Sequence, residues 1–157
     1  MSLFENSGAQ PLGSGTITAT HCVTDDALAS LASGYKRTVA SRYRTVISDA
    51  IAQEIPPGSL QVSPKIDGQL WFLVLEGSAA FLISPRGRVI SGDLPVLKEA
   101  NAFAARAQGR TVLAGELFML SKGDRPRCGD IAATLGGGAE AGVARLCFHA
   151  FDLAAGG

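Results

Sequence analysis

The hydrophobic pattern changes character along the chain, and the changes mark its elements. Residues 1–20, rich in Gly, Ser and Thr, keep neither a helical nor a strand period, which predicts a mobile N-terminal arm. Thr24 can cap a short helix through Ala32 that stops at Gly34, because a threonine hydroxyl satisfies free amides and glycine accepts a left-handed exit. Ser48 can cap a second helix through Glu54, ended by Pro56, Pro57 and Gly58. Strand-like runs follow. Leu60 to Ile66, Gln69 to Leu75 and Ser78 to Ser84 predict an antiparallel meander turned at Asp67-Gly68 and Glu76-Gly77. Pro85-Arg86-Gly87-Arg88 breaks the meander with two guanidinium groups close together.

Helical spacing returns in Leu97, Ala100, Phe103, Ala104 and Ala107, predicting a helix over Pro95 to Ala107 with Asp93 as its cap and Gly109 beyond its end. Thr111 to Leu120 reads as a strand that is apolar except at Glu116. A polar, basic loop (Ser121 to Arg127), a short helix (Gly129 to Leu135), a flexible join (Gly136 to Gly138) and a last strand (Leu146 to Leu153) complete the pattern. Strands grouped with helices before and between them predict an α+β fold with a mainly antiparallel sheet and flanking helices.

Composition narrows the function classes. A chain of 157 residues, 46% hydrophobic and 18% charged, suits one globular domain with a real core. Fourteen basic and fourteen acidic side chains cancel, so any attraction to nucleic acid must be local. The local candidate is Tyr35 to Arg44, with Lys36, Arg37, Arg42, Arg44 and two tyrosines but no acid; a merely solvated basic face is the alternative. Cys22, Cys128 and Cys147 form no CxxC pair, and His21 and His149 lack ligand spacing, which argues against a disulfide framework or a structural zinc site. A reducing cytoplasm is therefore expected. No apolar run approaches the roughly 18 residues that span a bilayer, and the first ten residues do not read as a secretion signal.

Candidate chemistry gathers on a few charged positions. Lys65, held at a strand end and shielded by Val62, Ile66 and Trp71, would be an amine nucleophile; an ordinary hairpin with a solvated lysine is the alternative. Glu116 is costly to bury unless paired, hydrogen-bonded, metal-linked or open to a cleft, so either a functional role or an ion pair with Arg86 or Arg88 would explain it. A nucleophilic lysine, an arginine for phosphate and a carboxylate for ribose or metal form a coherent set for nucleotidyl transfer. Phe148 and Phe151 offer an aromatic face for a base, or part of the core.

The segments KIDG, PRGR, VLAGELF and FHAFDL, in this order from about Ser63 to Leu153, resemble the first four nucleotidyltransferase motifs of the ATP-dependent DNA ligase superfamily. The layout through SPRGR, DLPVLKEA and AGELF is most similar to ligase-like adenylation domains of bacteria. The resemblance implies a nucleotidyltransferase fold over residues 21–157. It implies that Lys65 attacks the α-phosphate of ATP to leave lysyl-AMP, with Asp67 and Gly68 shaping the turn that orients it. Arg86 would contact ribose or a nucleic-acid end, Glu116 the ribose hydroxyl or, through water, Mg2+. Phe151 would stack on adenine, and Asp152 would hold local structure. The implied partners are nicked DNA or RNA ends, as in strand sealing during DNA repair, and a C-terminal OB-fold domain.

Several positions depart from the family pattern. Leu70 stands where many DNA ligases carry arginine, Ala114 where an aspartate precedes Gly-Glu, and Ser63 where a glutamate often precedes the lysine. The later EGxx and KxK motifs do not follow FDL, and no lysine occurs after Lys122, which suggests either a fragment of a longer ligase-like protein or a reduced relative. A catalytically inactive nucleotide- or end-binding module is the alternative function.

Overall fold

The computed structural model describes residues 2–40, 42, 44–60, 62–107, 109–121 and 127–156. Its strands are β1 (Gln10–Leu12), β2 (Gly15–Ile17), β3 (Gln69–Glu76), β4 (Ala79–Ile83), β5 (Val89–Gly92), β6 (Thr111–Met119) and β7 (Leu146–Ala155). They form one sheet in the spatial order β1-β2-β5-β4-β3-β6-β7, and every pairing is antiparallel. The helices are α1 (Asp26–Ala40), α2 (Ile51–Glu54), α3 (Pro95–Ala104) and α4 (Cys128–Leu135). The α+β class with an antiparallel sheet and flanking helices is thus present.

Helices cover both faces of the sheet. On one face Trp71, Leu73, Leu82 and Leu117 pack with Leu97 and Ala104 of α3 and Ile131 of α4. On the other, Phe72, Val74, Phe81, Ile83 and Ala114 pack with Leu28, Ala32 and Tyr35 of α1. Tyr35 meets Phe72 edge-on, with ring centroids 5.2 Å apart. Burial on both faces explains why β3 reads LWFLVL, an unbroken apolar run without alternation. Each large side chain buried there contributes about 1.5–3 kcal/mol.

Several expectations need correction. Residues 10–17, expected in a mobile arm, are strands β1 and β2; Leu12 and Ile17 enter the core and β2 pairs with β5, a strand the pattern did not predict. The first helix is longer than expected and runs through Gly34, because burial of Tyr35 beyond it outweighs the cost of about 1 kcal/mol for an interior glycine. Its first turn is capped by Asp25, whose carboxylate accepts the Leu28 amide at 2.9 Å, whereas Thr24 donates to the Ser2 carbonyl.

The largest correction concerns Leu60 to Ile66. No strand forms among its described residues, and Asp67-Gly68 is not a hairpin turn. Both edges of β3 are already filled, by β4 on one side and β6 on the other, so the sheet offers no place for it. α3 also ends earlier than expected, and Phe103, expected on its apolar face, is 65% exposed.

Candidate functional site

The KIDG segment is placed by a close approach. A Cβ on Gly68 would stand 2.4 Å from the carbonyl oxygen of Leu117, so only glycine lets the chain pass this tightly against β6 before β3 begins. Its φ is not positive, and the need is space alone. The passage lays Ser63, Pro64, Lys65 and Ile66 beside Glu116, His149 and Phe151, and these seven residues line a cleft of about 510 Å³.

Strand register supplies the rest of the cleft. Glu116 of β6 stands opposite Leu70 of β3 on one side and His149 of β7 on the other. Gly115 next to it has no Cβ, which would otherwise meet the Phe148 ring at 2.4 Å and the His149 carbonyl at 2.5 Å. A β-bulge then re-aims β7: Gly115 pairs with Ala150 and Ala114 with Asp152, leaving Phe151 as the extra residue. Phe151 lines the cleft with 46% exposure, while Phe148 packs against the α3 side of the core. Asp152 accepts the Tyr35 hydroxyl at 2.6 Å and so ties β7 to α1.

Glu116 is the electrostatic focus. Its Oε2 atom is buried with no hydrogen-bond partner among the described residues. Burial raises its carboxyl above the ordinary range; the charges of Lys65 and Lys36 pull it back, and Asp67 pushes it further up. The expected ion pair with Arg86 or Arg88 is absent among the described residues. Arg88 donates instead to the Thr18 carbonyl, and the backbone of the Arg86 turn accepts the amides of His21 and Cys22.

Of the residues singled out in the sequence, Lys65, Glu116 and Phe151 meet in the cleft, and Asp67 acts on it through its charge. Arg86 does not line it; its exposed side chain leaves the β4–β5 turn at the same end of the sheet. Lys65 lacks the shield foreseen for it, because Val62 is 92% exposed and Trp71 points into the α3 core. Two residues weighed in the sequence for other roles act here: His149 lines the cleft through its register with Glu116, and Lys36 of α1 reaches Glu116 through its charge.

Among the described residues no cluster of three His, Cys, Asp or Glu could hold a metal ion by itself. Mg2+, however, is usually held by one or two carboxylates together with water and substrate phosphates. The unpartnered Glu116 oxygen and the nearby Asp67 fit that lesser requirement. Cys147 is half-buried and its thiol is raised by burial, first, and by Glu99. No helix among the described residues is long and apolar enough to cross a membrane. The middle of the basic loop after Leu120 lies outside the described residues, as do Ser41 and Tyr43 of the basic segment. No family model, curated protein or solved structure matches the chain.

Proposed function

We propose that the protein is a ligase-type nucleotidyltransferase domain that uses Lys65 to form a lysyl-AMP intermediate for joining nucleic-acid ends. One observation carries the proposal: Lys65, Glu116 and Phe151, drawn from three distant segments, line a single cleft. A cleft of about 510 Å³ falls within the roughly 300–1,000 Å³ usual for small-molecule sites.

In the proposed reaction Lys65, as the free amine, attacks the α-phosphorus of ATP. A P–N bond forms, the bond from that phosphorus to the bridging oxygen breaks, pyrophosphate leaves with the electron pair, and the lysine nitrogen gives up a proton. Phe151 stacks on adenine, since every base has a π-face and stacking tolerates partial exposure. Glu116 accepts from a ribose hydroxyl, which satisfies the oxygen that lacks a partner. Mg2+, when bound, supplies charge neutralisation at the phosphates, and Glu116 and Asp67 would hold it. Arg86, exposed in the β4–β5 turn at the same end of the sheet, is assigned to the incoming end. AMP then passes to a 5′-phosphate, and a 3′-hydroxyl displaces it.

A second function, nucleotide or end binding without covalent chemistry, is favoured by Arg86 standing outside the cleft and by Leu70 opposite Glu116. Intact mass after incubation with ATP and Mg2+, followed by peptide mapping, separates the two. The transferase gains one AMP on Lys65, and Lys65→Ala removes the entire signal. A wild-type chain that stays unmodified while ATP raises its melting temperature is a binding module.

A further inference from the structure

Residues 27–48 carry Lys36, Arg37, Arg42 and Arg44 and none of the chain's fourteen acidic side chains. The structure sorts these cations. Arg44 is engaged by Glu54 at 2.6 Å, whereas Lys36, Arg37 and Arg42 form no ion pair among the described residues. Lys36 and Arg37 are exposed on the last turns of α1.

Arg42 lines a groove of about 270 Å³ between Gly34 and Val39 on the α1 side and Asp152, Leu153 and Ala154 of β7. The nearby carboxylate does not neutralise Arg42, since no ion pair joins them among the described residues and Asp152 takes the Tyr35 hydroxyl. Consecutive residues of β7 line the two, Phe151 the cleft and Asp152 the groove. Phe151, 46% exposed on the edge strand β7, supplies an aromatic surface in the cleft. Cations for phosphates and exposed aromatic side chains for bases are what single-stranded nucleic acid requires.

We infer that the end of α1 and the outer part of β7 form a track for the phosphate backbone of a single strand, with Arg37 and Arg42 as its phosphate contacts and Lys36 at its cleft end. The track rests on the nucleotidyltransferase assignment for the end it delivers towards Lys65.

Fluorescence anisotropy with a 5′-phosphorylated single-stranded oligonucleotide, without ATP and across a salt series, tests it. Replacing both arginines (Arg37→Ala with Arg42→Ala) should lower the slope of log affinity against log salt by about 1.4, because each single-strand phosphate contact contributes about 0.7. The same pair changed to lysine should restore the slope, since a phosphate accepts either cation. That restoration also shows that loss of charge, rather than of fold, caused the drop. Arg44→Ala should leave the slope unchanged. An unaltered slope in the double alanine variant, no recovery with lysine, or no binding by the wild-type chain would each overturn the track. Adduct formation is read separately, without oligonucleotide. An adduct on a chain whose slope ignores both arginines overturns the track alone. Binding through them by a chain that forms no adduct overturns the transferase alone.

Discussion

The two ends of β6 treat carboxylates in opposite ways. Just before the strand, Arg110 closes a network: its guanidinium donates to Asp25 at 2.8 Å and to Glu76 at 3.1 Å. The Leu28 amide, first, and Arg110 hold the Asp25 carboxyl below its ordinary range, and Glu76 and Asp25 hold Arg110 above its own. Near the far end Glu116 meets Leu70 across the strand instead of a cation, keeps a buried oxygen without a partner, and is raised by burial. The Arg110 cluster ties α1 to the sheet and satisfies its charges internally. The Glu116 end leaves a carboxylate facing a cleft, an arrangement that costs stability unless something else completes it.

Gly68→Ala is the most disruptive test of this contrast. A methyl group 2.4 Å from the Leu117 carbonyl forces the KIDG segment away from β6, with an expected loss of about 2 kcal/mol on denaturant unfolding. Adduct formation should fall with it, since Lys65 no longer sits over Glu116. A variant as stable as wild type would show that the close approach is not needed.

Arg110→Ala breaks the closed end. The residues involved are partly exposed, so the expected cost is only about 1 kcal/mol, while the cleft end should keep its nucleotide response. The acid limb should change too. Asp25, with its lowered carboxyl, contributes stability above the unfolded carboxyl range that is lost as pH falls. Removing Arg110 should flatten that loss without abolishing it, because the Leu28 amide remains.

Glu116→Gln should act in the other direction and more weakly, stabilising the ligand-free chain by about 0.5 kcal/mol near neutrality. With its carboxyl raised in the folded state, the native protein holds the proton to higher pH than the unfolded chain, so stability falls as pH rises through that interval. The gain from glutamine should therefore vanish at acid pH. A variant less stable than wild type at neutral pH would mean that Glu116 is engaged after all.

How much of this was readable in the sequence depended on whether local pattern or long-range pairing decided the outcome. α3, α4, β4 and β6 follow local periodicity and lie close to where they were expected. Residues 10–17 have weak local preference and become strands only because β5 offers them an edge, and residues 60–66 have strand preference but no free edge to join. The site divides likewise. Glu116 announces itself as the one charge in an apolar strand, and Phe151 by its place in FHAFDL. His149 requires the β6–β7 register, and the direction of Phe151 requires a bulge that nothing in the residues alone reveals. Gly68 shows a glycine expected for one reason, a hairpin turn, and kept for another, the space beside Leu117.

The contrast between the two ends is tested most directly by following the side-chain carboxyl carbons of Glu116, Glu76 and Asp25 by NMR during titration with ATP. If the cleft is a nucleotide site, the Glu116 resonance moves saturably with ATP while Glu76 and Asp25 stay where they are. A Glu116 resonance that ignores ATP, or one that moves no more than those of the Arg110 cluster, would contradict it.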